Sequence, residues 1–82
     1  MAQQTMSKKD YQLLQQIGAN IVYYRKQLGL TQEGLAEQAD ISRAHLARIE
    51  NGMGAASLPL LFTLCDVLDI PLKALFEVQK WI

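Results

Sequence analysis

Between Ser42 and Asn51 the chain runs SRAHLARIEN, which sets two arginines, two alanines, a histidine and an amide within a short stretch. Arg43 and Arg48 carry the planar guanidinium fork that matches the paired acceptors on the major-groove edge of guanine. Ala44 and Ala47 lack bulk, so a helix bearing them brings its backbone close to base edges, and their methyls suit the thymine methyl. Winding the segment at about 100° per residue from Leu46 turns Ile49, Glu50 and Ser42 inward and Ala44, Ala47, Arg48 and Asn51 outward. The outward face is small, basic and amide-bearing, and its chemistry is that of groove readout.

Other chemistries lack their parts. His45 is the only histidine and Cys65 the only cysteine, so a metal site, a catalytic dyad or a disulfide would each need partners that the sequence does not hold. No nucleophile–base pair or Gly-rich phosphate loop is present, so the enzyme reading fails and no cofactor is called for. Cys65 reads as core volume rather than a redox sensor. Glu33, Glu37 and Asp40 read as a solvated acidic patch. Eight basic and eight acidic side chains leave a formal net charge of zero, so any contact with DNA must come from where charge is placed and not from its sum.

A face of this kind has to be held by other elements. Leu13 (or Leu14), Ile17, Ile21, Tyr24 and Leu28 fall at helical spacing, with Gly29 as the stop. Thr31 caps a second helix running to about Gln38, and Leu30 with Leu35 fits a hydrophobic staple. After Ala39 and Asp40, Ser42 caps a third helix, which ends at Asn51-Gly52; Ile41 and Leu46 offer a second staple. Ser57 caps a fourth helix through about Leu68, with Pro59 tolerated in its first turn. Pro71 precedes a short fifth helix, about Leu72 to Phe76. No strand pattern is present.

With 82 residues the chain has room for one core, burying about 60% of its unfolded surface. The expected organisation is a flexible N-terminal segment at 1–9, a helix-turn-helix DNA-binding domain at 10–77 with the motif at about 31–51, and a tail at 78–82. No apolar run approaches the roughly 18 residues that span a bilayer, and the start lacks a secretion signal, so the expected setting is cytoplasmic with no membrane contact. No small-molecule effector domain is expected.

The stretch LGLTQEGLAEQADISRAHLARIENG, preceded by Ile17 and Arg25 and followed by SerLeuProLeuLeu, AspIleProLeu and LeuPhe, resembles the helix-turn-helix of the phage-repressor-like (Cro, XRE-type) regulators. The resemblance implies an all-α, compact bundle of about five helices of the lambda-repressor-like type. It implies a sequence-specific DNA-binding transcriptional regulator, such as a repressor, with its third helix in the major groove of double-stranded DNA. Gln32 and Asn51 would hold phosphates; Ser42, Arg43, Ala44 and Arg48 would face bases or their flanking backbone, with His45 at the edge. Arg25 and Glu50 would pair between the first and third helices. Three departures stand out: Gly34 in place of an acidic residue, Asp40 in place of a turn glycine, and Met53-Gly54-Ala55 where relatives often carry a basic side chain. The first weakens the second helix by about 1 kcal/mol; the second is tolerable because Asp enters the left-handed region more readily than most residues.

Tyr11, Val22, Tyr23, Leu60, Phe62, Val67, Val78, Trp81 and Ile82 are more apolar side chains than so small a core takes in. A homodimer on a two-fold-related operator is therefore expected, with Phe62, Trp81 and Ile82 at its interface. The alternative is a protein–protein interaction module that retains the fold without binding DNA.

Overall fold

Four hydroxyls start the four α-helices of the computed structural model, which describes residues 6–78. Ser7 opens α1 (Lys8–Gln27), Thr31 opens α2 (Gln32–Gln38), Ser42 opens α3 (Arg43–Glu50) and Ser57 opens α4 (Leu58–Leu68). Each accepts a hydrogen bond from the backbone N–H three residues on, satisfying one of the donors that a helix start leaves without a partner. The helices also end alike. Gly29, Asp40, Gly52 and Asp69 take left-handed backbone, with φ of 70°, 58°, 71° and 57°. The residue after each donates its N–H back five positions: Leu30 to Arg25, Ile41 to Ala36, Met53 to Arg48 and Ile70 to Cys65. This is the Schellman closure, used four times. Beyond Pro71 the chain makes a 3-10 helix, Leu72–Phe76, and the described residues hold no strand.

Two expectations need correction. Lys8 and Lys9, assigned to a loose segment 1–9, are helical. Ser7 and Asp10 form a capping box, Asp10 N–H to Ser7 Oγ at 3.2 Å and Ser7 N–H to Asp10 Oδ2 at 3.0 Å, so the helical unit begins before residue 10. Leu28, read as part of the buried stripe, is 52% exposed. It is the cap residue of α1, and the turn at Gly29 swings Leu30 against the core in its place.

Each of the five elements sends one large, fully buried apolar side chain to the centre: Ile21, Leu35, Leu46, Leu64 and Leu75. Burying each contributes about 1.5–3 kcal/mol. Two glycines let α1 meet the end of α3 backbone to backbone. A Cβ on Gly18 would strike the carbonyl oxygens of Ile49 and Glu50, and one on Gly52 would lie 2.8 Å from the Cα of Gln15. At its other side α1 holds the last element. The buried Asn20 donates from Nδ2 to the carbonyls of Leu75 (2.7 Å) and Glu77 (2.8 Å), and Gln16 Nε2 donates to Phe76 (2.7 Å). Among the described residues no helix is long and apolar enough to cross a membrane.

Candidate nucleic-acid interface

Because α3 buries Leu46, Ile49 and Glu50, its remaining side chains are left outside. Arg43, Ala44, His45 and Arg48 are exposed and Ala47 is half-buried. Asn51, the cap residue at the C-terminal end, is exposed as well. Ser42 is also exposed, against the inward position that helical winding assigned to it. As the N-cap it has extended backbone, φ −72° and ψ 152°, so the rotation per residue of a helix does not apply there. Its Oγ accepts from His45 N–H at 3.0 Å and keeps its own hydroxyl proton to donate elsewhere.

Arg48 lies across the turn that follows α3. Its Nη2 donates to the Met53 carbonyl at 3.4 Å, and a Cβ on Gly54 would be 3.9 Å from the guanidinium. The departure at Met53-Gly54-Ala55 thus supplies a resting place for an arginine from within the helix. So long and exposed a hydrogen bond is weak and readily exchanged. Arg43 stands in the first turn of α3 at the opposite end of the same face.

The presentation of α3 is governed by a network behind it. Arg25 grips Glu50 with both sides of its fork, Nε to Oε2 at 2.8 Å and Nη2 to Oε1 at 3.1 Å, and its Nη1 donates to the Leu30 carbonyl at 2.9 Å. The two side chains are 10% and 2% exposed. Gln32 completes the set, its Nε2 donating to Glu50 Oε1 at 2.9 Å. One carboxylate on α3 therefore binds α1 and the start of α2, and Arg25 ties the α1–α2 turn to the same network. Desolvated charges are tolerated when paired and hydrogen-bonded in this way.

The bond from Gln32 to Glu50 was not anticipated, nor was the clamp made by Asn20. Sequence did carry a signal for the second, since an amide sits inside an otherwise apolar stretch next to Ile21; what it lacked was the partner, more than fifty positions away. Cys65 is buried in the core away from this surface, and desolvation there pushes its thiol above the ordinary value of 9.0. The described residues include no cluster of metal-ligating side chains.

Comparison with known proteins agrees with this architecture. A helix-turn-helix family model matches residues 21–75. The restriction-modification controller protein C.AhdI from Aeromonas hydrophila is similar in structure, with a TM-score of 0.74 and 32% identity, covering 77% of this chain and 96% of that one. The clp gene regulator ClgR from Corynebacterium glutamicum has a TM-score of 0.74 and 28% identity, covering 77% of this chain and 67% of that one. The master regulator for biofilm formation SinR, solved in complex with DNA, has a TM-score of 0.71 and 32% identity, covering 74% of this chain and 98% of that one. No curated protein matches the chain.

Proposed function

Because the chain belongs to the helix-turn-helix family, whose model spans residues 21–75, we propose that it is a transcriptional regulator that sets α3 into the major groove of double-stranded DNA. The observation that carries this reading is the exposed face of Arg43, Ala44, His45, Arg48 and Asn51 on a helix fixed from behind by the Arg25–Glu50–Gln32 network. SinR, solved with DNA, is a relative of the same fold and a precedent for the partner.

In the proposed division of roles Arg43 and Arg48 read base edges, Ser42 and Ala44 line the approach, and His45 stands at the margin. To reach a base, Arg48 leaves the Met53 carbonyl. Gln32 and Asn51 hold phosphates; Gln32 has a second amide hydrogen for this while its first stays on Glu50. The regulator is a homodimer acting in the cytoplasm on a two-fold operator, since one such helix reads only a few base pairs. Its contact is the apolar pair Leu58 and Phe62, four residues apart on α4 and each about half exposed. Trp81 and Ile82, also expected at that interface, lie outside the described residues.

Selection of bound duplexes from a random pool tests the reading, with enrichment of a palindromic motif expected. No enrichment would favour a protein-interaction module in its place. On the selected site Arg43→Ala or Arg48→Ala should cost about 1–3 kcal/mol and relax preference at particular base pairs, whereas Asn51→Ala should weaken all sequences alike. An unchanged ranking of sites in both arginine variants would refute their assignment to readout.

A further inference from the structure

We propose that the N-terminal half of α1 is a second part of the DNA surface, with Lys8, Tyr11 and Gln15 holding the phosphate backbone beyond the end of α3. This surface presupposes the regulator reading of α3 and extends it to a helix outside the helix-turn-helix. It begins at the tight crossing of α1 and α3, where Gly18 meets the carbonyls of Ile49 and Glu50 and Gly52 lies against the backbone of Gln15. Gly52 follows Asn51, so the crossing sets the exposed Gln15 beside an exposed residue proposed to hold a phosphate.

The contacts of Gln15 and Gly18 mark the face of α1 that turns toward α3. Counting back four and seven residues from Gln15 returns to that face at Tyr11 and Lys8. Both are exposed, Tyr11 at 51%. Later in the helix, Gly18 and Arg25 are buried against α3, whereas the two turns before Gln15 run past the crossing. From Gln15 to Lys8 the helix covers about 10 Å, a reach comparable to three steps of a duplex at about 3.4 Å each. The capping box of Ser7 and Asp10 closes the first turn, so Lys8 and Tyr11 are presented from a built helix.

The chemistry fits phosphate oxygens, which accept from an ammonium, a phenol hydroxyl and a side-chain amide alike. Among the described residues no hydrogen bond or ion pair engages the side chain of Lys8, Tyr11 or Gln15. Asp10, the carboxylate closest to them in sequence, accepts from Ser7 N–H and stands about 140° around the helix from Gln15. The surface also answers a need. The chain is neutral overall, and the turn after α3, Met53-Gly54-Ala55-Ala56, has no cation of its own. Lys8 supplies from α1 a charge that this turn lacks. Contacts of this kind fix the position of a protein on the duplex and carry no base preference.

Titration of the selected duplex by the full chain at several salt concentrations tests the surface. Lys8→Ala is expected to weaken binding alike on every single-base variant of the site and to keep their ranking. It should also flatten the dependence of log K on log salt by about 0.9 for each bound copy. Tyr11→Phe and Gln15→Ala should weaken all sites alike and leave that slope in place, since neither side chain is charged. Lys8→Glu should lose more affinity than Lys8→Ala. An acidic residue favours the first turn of a helix, so this loss does not come from fraying of α1, and far-ultraviolet circular dichroism should show unchanged helical content. Lys9→Ala is the control, because Lys9 is exposed but stands about 120° around the helix from Gln15; its slope should stay that of the unmodified chain. An unchanged slope in Lys8→Ala overturns the proposal, and so does equal flattening in Lys9→Ala, which would reduce the effect to overall charge. A changed ranking of sites in Lys8→Ala would place that residue at a base and refute its phosphate role. These outcomes leave readout by Arg43 and Arg48 standing, whereas a chain that binds no duplex refutes the regulator and this surface with it.

Discussion

Glu50 carries its charge to a place where its side chain is 2% exposed, and donors from Arg25 and Gln32 meet both of its oxygens. Removing one member of such a pair leaves the other charge buried without an answer, which costs more than the pair contributed. Glu50→Ala is expected to lower stability by about 3 kcal/mol, and Arg25→Ala by a similar amount. Urea denaturation midpoints check this, and unchanged midpoints in both variants would show that the network does not hold α3. Cys65 offers a second test at this scale. Burial raises its thiol above 9.0 in the folded chain, so the unfolded chain gives up that proton first as pH rises. The stability associated with the neutral thiol is intact below 9.0 and is lost as pH climbs beyond it. The thiol should resist alkylation until the protein unfolds, and the alkaline loss of stability should be smaller in Cys65→Ala. Rapid labelling of folded protein near neutral pH would contradict the buried placement.

The helices are bracketed by a repeated rule, a hydroxyl at the start and a left-handed residue at the end, but that last position is filled by glycine only after α1 and α3. Asp40 and Asp69 hold the same backbone after α2 and α4 with a Cβ in place. Asp40→Gly and Asp69→Gly should each raise stability by roughly 0.5–1 kcal/mol, and a β-branched Asp69→Val should lower it by about 1–2. Thermal midpoints that fall in both glycine variants would show that the aspartates make a compensating contact. The same rule explains how much of this fold was legible. Thr31, Ser42 and Ser57 each stand just before an apolar repeat, so the starts of α2, α3 and α4 could be read, and Asp40 was recognised as able to turn. The start of α1 was missed because Ser7 precedes a polar stretch, Lys8-Lys9-Asp10, where periodicity is silent and only the capping box speaks. The outward face of α3 was legible from helical winding except at Ser42, which stands outside the helix. Gly18, Gly52, Asn20 and the bond from Gln32 to Glu50 were not, since each depends on a partner at least 18 positions away.

At the scale of the whole chain, eight charges of each sign cancel, so the proposed attraction to DNA is a local matter of exposed cations, two arginines on α3 and Lys8 on α1. That surface depends on a distant fastening. The carbonyls held by Asn20 belong to residues 55 and 57 positions later, and Leu75 fills the centre of the core from the last element. The first helix and the last are thus closed on each other, while every residue proposed to touch DNA lies ahead of that last element. A chain ending at Leu68 would keep all of those residues and still be expected to lose cooperative unfolding, which calorimetry would register. During synthesis this imposes an order. When the helix-turn-helix has emerged from the ribosome, α1 still lacks the acceptors for its buried amide and the side chain that completes the core. The nascent protein cannot close until residue 77 has cleared the exit tunnel, and anything fused beyond that point would leave the fold alongside α1, on the side away from Glu50.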